Sequence, residues 1–198
     1  ARAAAGAAQA TFDAARVSLA AEVALLDRAH ASLGAGDVDA ALGLLATHAR
    51  DFADGALIDY LGQKIRLCID PAQGSAQLIS GDMPTLRIGV SAQATESQIR
   101  DCVQAWLMRQ ARELFEARLH HFAALLGVQW KKLSLSNAGT RWGSARGDGA
   151  IRLNWRLIHL KMDAIDYVVV HELAHLREMN HSPAFWKVVA EILPDHVE

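Results

Sequence analysis

The chain of 198 residues predicts an α+β fold: a helical hairpin at the front, then a small antiparallel or mixed sheet packed on a long helix and on a later helix that carries an HExxH pentad. Three observations carry that prediction. Apolar residues recur at helical spacing over two long stretches, 11–33 and 95–126. Short apolar runs bounded by turn residues occupy 64–90 and 131–155. An apolar lead-in ends in the pentad His171-Glu172-Leu173-Ala174-His175, whose spacing is meaningful only on a helix.

Taken in order, Thr11 to Leu33 places Phe12, Ala15, Leu19, Val23, Leu26 and Leu33 on one stripe, and Gly34-Ala35-Gly36 stops it. Asp37 caps a second helix through Leu42, Leu45 and Ala49 that ends near Gly55, which completes a helical hairpin. The period then changes. Lys64–Asp70, Ala76–Ser80 and Thr85–Val90 read as strands of an antiparallel meander, separated by Pro71-Ala72-Gln73-Gly74 and Gly81-Asp82. Thr95 with Gln98 is a capping box for a helix running to Leu126 and closed by Gly127. Lys131–Ser136 and Ile151–Trp155 complete the strands, with Gly147-Asp148-Gly149 as the hairpin signal.

The next helix starts with Asp163 as cap and Asp166 in its first turn, and Ile165, Val168, Val169, Leu173 and Leu176 form its buried face. Asn180 is suited to end it in a left-handed turn. Ser182-Pro183 then begins a last helix through Phe185, Trp186, Val189 and Ile192, stopped before Pro194. The expected division is a hairpin or extension over 1–51 and one compact domain over 52–198.

Composition is that of a globular chain, 52% hydrophobic and 21% charged. The net charge of −2 hides an asymmetry. Residues 1–60 hold four Arg against eight acids, whereas 131–161 holds seven basic residues against Asp148 alone. A basic segment attracts anions, so nucleotide or DNA binding through 131–161 is a partner class to test. Trp130, Trp142 and Trp155 interleave with those basic residues and offer stacking faces. Cys68 and Cys102 match no ligand spacing and are too few for a disulfide framework, which makes a cytoplasmic protein the default. No run of 18 apolar residues exists, so no membrane span is expected.

On a helix His171 and His175 project one turn apart on the same face and can share one tetrahedral ion, and zinc suits this pair. Glu172, one step round, can take a proton from a water on the metal without being a ligand. The turn after Asn180 swings His181 back as third ligand, leaving a fourth position open, as in catalytic rather than structural sites. His120 and His121 on the long helix, with His30, His48 and His159, lack a partner at ligand spacing.

The run Arg141-Trp142-Gly143-Ser144, then 151–158 (IRLNWRLI), then Asp166–Leu176, then Asn180-His181-Ser182 with Phe185-Trp186, resembles the YgjP-like metallopeptidase family, which is related to the SprT and WLM zinc proteases. Asp54-Gly55-Ala56 and Tyr60-Leu61-Gly62-Gln63 are similar to that family's upstream segment. The resemblance implies a zincin-like core, one zinc held by His171, His175 and His181, Glu172 as catalytic acid/base, and a peptide or protein substrate. Two features depart from related patterns. The family usually carries a cysteine where this chain has Ala145. The histidine spacing equals that of metzincins, but Glu178 replaces their glycine and no Met-turn follows.

By analogy with zinc proteases of this build, Ile151 to Asn154 is expected to form the cleft-edge strand, where an extended peptide can add by backbone hydrogen bonds. Arg141, Asn154 and Arg156 carry donors that suit substrate or an oxyanion. The reading is therefore a zinc-dependent peptidase. Its alternatives are a metal-dependent hydrolase of a phosphoanhydride such as a nucleotide, and a nucleic-acid-associated protease or binding module.

Overall fold

The computed structural model describes residues 52–138 and 141–194; the expected hairpin of the first 51 residues lies outside them. The described chain is α+β, with two small sheets and three helices.

The first sheet contains β1 (Leu57–Tyr60), β2 (Gln63–Ile69), β3 (Gln77–Ile79) and β4 (Thr85–Ile88), in the order β1-β2-β4-β3. It is not the meander expected from the sequence. β4 passes over β3 and pairs with β2 in parallel, while β3 joins the outer side of β4 antiparallel. The reason is burial. Leu67 pairs with Leu86 and Ile69 with Ile88, and Ile65, Leu67, Leu86 and Ile88 are fully buried. β3 has only Leu78 partly covered, between exposed Gln77 and Ile79, so it suits an edge.

β1 was not separately expected. It pairs antiparallel with β2 through the two-residue turn Leu61-Gly62, at φ 53° and 74°. Two positive φ values define the hairpin turn whose twist matches the strands. The position of Leu61 is costly for a residue with a Cβ. Its amide donates to the Ile158 carbonyl at 2.8 Å and that of Gly62 to His159 at 3.3 Å, which holds the turn against the second half of the domain.

Helix α1 (Glu96–Leu126) has the expected capping box at Thr95 and Gln98. It ends on Gly127 at φ 65°, whose amide reaches Ala123 and Ala124. Val103, Leu107, Ala111, Phe115, Leu119, Phe122 and Leu126 recur at three- and four-residue intervals and are buried, making α1 the central strut.

The second sheet has β5 (Lys132–Ser136), β6 (Gly143–Ala145) and β7 (Ala150–Asn154), in the order β5-β7-β6. β5 runs parallel to β7, and β6 is antiparallel to it across the 146–149 turn, where Gly149 takes φ 88°. This corrects the expected rim. The strand 150–154 is central, with Ile151 and Leu153 buried, and the edge strand is β6, which packs on the helix that follows. A 3-10 turn over Trp155–His159 leads to that helix, α2 (Met162–Ala174).

At the start of α2 the capping position falls on Lys161, with no side-chain cap, and Asp163 lies inside the first turn accepting from the Ala164 amide. Ile165, Val168, Val169, Val170 and Leu173 bury α2 against α1 and β6. Arg118 of α1 grips Asp166 of α2 with two hydrogen bonds, at 2.7 and 2.8 Å. Both side chains are partly shielded from solvent. Arg118→Met is therefore expected to cost about 1–2 kcal/mol, read as a melting shift of about 2–6 °C. An unchanged melt would show the bridge to be energetically neutral. Helix α3 (Pro183–Ala190) starts as expected, with the Ser182 hydroxyl accepting from the Phe185 amide and Pro183 in the first turn.

Candidate metal centre

His171 lies in the last turn of α2 and His175 is its C-terminal capping residue. The helix stops there, earlier than Asn180. Its end is a tight turn in which the amides of Leu176 and Arg177 reach the carbonyls of Leu173 and Ala174. Asn180 is not left-handed; among the described residues only Leu61 combines a side chain with positive φ. Asn180 acts instead through its side chain, whose Oδ1 accepts the Ser182 amide at 3.1 Å and turns the chain into α3. His181 sits in this bend.

The three imidazoles converge. One ligand atom from each of His171, His175 and His181 lies within 4.8 Å of the others, the one such cluster containing histidine among the described residues. The Nε2 atoms of His171 and His181 are 3.0 Å apart. A tetrahedral ion with bonds of about 2.0–2.1 Å needs about 3.3 Å between donors, so this pair fits one edge of the coordination sphere. His175 gives its Nδ1 to the Glu178 carbonyl at 3.1 Å, which leaves Nε2 for a metal and fixes the ring. The donor set therefore fits a zinc-type ion.

Aromatic packing orients the rings. Phe185 is fully buried beneath the cluster, 4.9, 4.6 and 4.8 Å from the ring centres of His171, His175 and His181. Trp186 stacks on His181 at 5.9 Å with 26° between planes. The sequence showed these two as residues of the last helix and as part of the motif run that carries the family resemblance, without a role at the metal; their place directly after the third histidine was the available signal. His181 stands on a bend and is exposed, and Trp186 stacked on its face is one of its two aromatic walls, with Phe185 the other. Trp186→Ala is expected to weaken zinc binding about threefold to tenfold while leaving the fold intact. Unchanged affinity by competition with a chelator would remove this role.

Electrostatics favours ligand-ready histidines. Burial, then the neighbouring His175 and His181, lowers the pKa of His171 to about 4. His175 is also lowered, first by burial. A neutral imidazole is the form that binds metal. Glu172 lies beside them, buried, and burial raises its pKa to about 8 against the opposing charge of Arg141. Its Oε2 has no hydrogen-bond partner among the described residues, as is also true of His171 Nδ1 and Trp142 Nε1. An uncompensated buried carboxyl is costly, and such groups mark functional sites.

Arg141 is exposed. Asn154 is fully buried, and its donors are spent internally. Nδ2 reaches the Ala138 carbonyl at 2.8 Å and that of Arg141 at 3.4 Å, while Oδ1 accepts the Arg156 amide. Arg156 lies over the Trp155 ring and hydrogen-bonds Asn137. The Arg141 charge thus acts on Glu172 without a direct bond to it, and Asn154 and Arg156 are engaged around the segment that carries Arg141. Of the three tryptophans offered as stacking faces, Trp142 and Trp155 are 3% and 5% exposed and belong to the core, and Trp130 is half-buried against His120. His159 is buried with Nδ1 on the Asp59 carbonyl at 2.7 Å, and His120 and His121 are exposed.

Fold and site together present three convergent imidazoles beside a buried carboxyl, a candidate metal centre. The family described as YgjP-like, metallopeptidase domain, matches residues 40–198, and the chain belongs to that family. It is thereby a metal-dependent peptidase at the family level, with protein or peptide as the substrate class. Among solved structures, the crystal structure of the metallopeptidase zymogen of Pyrococcus abyssi abylysin is similar at 27% identity, over 40% of this chain and 80% of that one, with a TM-score of 0.38. No curated protein matches. Among the described residues no helix is long and apolar enough to cross a membrane.

Proposed function

We propose that this chain is a zinc-dependent peptidase in which His171, His175 and His181 hold one zinc and Glu172 moves the proton. The observation that carries this reading is the convergence of three imidazole donors beside a buried carboxyl. Zinc held there supplies a Lewis acid that makes water nucleophilic near neutral pH and polarises a carbonyl. The chain's own residues do the rest. Glu172 accepts a proton from the attacking water on its unpartnered Oε2 and returns it to the leaving amine nitrogen. His175, tied to the Glu178 carbonyl, keeps a fixed tautomer. Arg141, the cation nearest in effect to Glu172, offers its charge to the oxygen that becomes negative. Asn154 holds the Arg141 carbonyl, and Arg156, tied to Asn137, braces the same segment.

The open edge of β6, on the face of α2, is where an extended peptide adds by backbone hydrogen bonds. This replaces the role first given to 151–154. The test is metal analysis of the purified chain followed by hydrolysis of dye-labelled casein. One zinc per chain with zinc-restorable hydrolysis supports the reading; stoichiometric zinc with cleavage of nucleotides and not casein overturns it.

The proposed domain boundary has its own test. Deleting residues 1–51 is expected to spare zinc binding and a cooperative melt, since every proposed ligand lies after residue 170. Residues 40–51 fall inside the family match. Loss of the metal or the melt would place them in the core and move the boundary toward residue 40.

A further inference from the structure

β6 is an unpromising strand by composition: Gly143-Ser144-Ala145 has no β-branched or aromatic residue. Its pairing is nevertheless definite, with Gly143 opposite Leu153, Ser144 opposite Arg152 and Ala145 opposite Ile151. The Asn154 amide extends the ladder by donating to the Trp142 carbonyl at 2.7 Å. Gly143 is not among the described glycines with positive φ, so its backbone would accept any L residue. What a side chain there would meet is a single group. A Cβ on Gly143 would lie 2.7 Å from both Cδ and Cγ of Glu172, and closer still to Oε1. All three nearest atoms belong to that one carboxyl-bearing side chain.

We infer that Gly143 is a positioning residue for Glu172: the bare strand backbone is the wall against which the carboxyl rests, and its lack of a Cβ sets where that carboxyl stands. The inference rests on the reading of Glu172 as the proton-transfer group. Two candidate movers exist if a Cβ is added. The strand is pinned by its ladder to β7, and β7 is pinned in turn by β5. The Glu172 side chain has three rotatable bonds and an Oε2 without a partner to hold it. The carboxyl therefore gives way, and because Cγ as well as the oxygen is crowded, rotation of the carboxyl plane alone does not relieve the contact. The whole side chain must change rotamer. A displacement of about 1 Å in a reacting group costs on the order of 10²-fold in rate.

The experiment compares the full chain with Gly143→Ala, Glu172→Ala and the double variant. Gly143→Ala is expected to lower the melting temperature by about 3–8 °C. In the Glu172→Ala background the same change should cost nothing or raise the melt, because the colliding side chain is gone. A full-sized loss in both backgrounds overturns the inference, since Gly143 would then serve the strand and not the carboxyl. With zinc bound, Gly143→Ala should keep zinc affinity within about twofold and lower kcat on dye-labelled casein about 10- to 100-fold at unchanged KM. Parent-like kcat overturns the positioning role even if the melting cycle shows coupling. A parent that binds zinc but leaves casein intact counts against the peptidase reading, whereas the melting cycle still decides whether Gly143 and Glu172 are coupled.

Discussion

Glu172→Gln is expected to leave one zinc per chain and a cooperative melt while lowering turnover by about 10²–10⁴-fold. The amide is nearly isosteric with the carboxyl, so the contact with Gly143 and the burial under β6 persist. What changes is the ability to accept a proton. The protein already holds this carboxyl away from water, which raises its pKa to about 8 before any metal is bound. A cation close by pulls that value back toward neutrality, the useful range for a group that must take a proton and return it. Activity of the variant within tenfold of the parent would assign the proton transfer elsewhere.

The second large effect concerns the ligands. His175→Ala and His181→Ala are each expected to reduce zinc affinity by at least about 10³-fold, because two remaining imidazoles cannot complete a tetrahedral site. The two variants should differ in the metal-free state. His175 anchors the end of α2 through the Glu178 carbonyl, so its loss should also lower the metal-free melt. His181 is exposed on the bend, and its contacts are with the rings of His171, His175, Phe185 and Trp186 rather than with the backbone of α2. Its loss should leave that melt near the parent's. Chelator competition and calorimetry measure both quantities. Unchanged zinc affinity in His181→Ala would remove the third ligand.

Features written in short-range chemistry were legible in the sequence. The capping box of α1, its closing glycine, the Ser182-Pro183 start of α3 and the histidine spacing all depend on neighbours within about one helical turn. Features decided by distant partners were not. β1 needs Leu61 in an unfavourable conformation that only the 155–159 turn makes tolerable. β4 reads like the next arm of a meander until the fully buried pair Leu67–Leu86, with buried Ile88 opposite the partly buried Ile69, draws it across to β2. β6 has no strand-forming residue and exists because β7 offers a ladder and Glu172 requires a bare backbone. The same logic separates the site residues. The proposed ligand pair His171 and His175 follows from spacing one helical turn apart, whereas His181 depends on the bend that leads into α3. The inward engagement of Asn154 became visible only once residues 138 and 141 were seen to fold over it.

The early end of α2 at Ala174 has a mechanical consequence. With His175 at the helix end and His181 on the approach to α3, the two ligands stand on either side of a five-residue link, 176–180, that has no regular structure of its own. On the proposed reading, an ion shared between them would act as a rivet across that link, fastening the C-terminal helix to the scaffold as well as serving chemistry. Binding energy would then be distributed unevenly along the chain. Stripping the metal should accelerate amide exchange over 176–190 well before it loosens α1 or either sheet, and restoring it should return protection to that segment first.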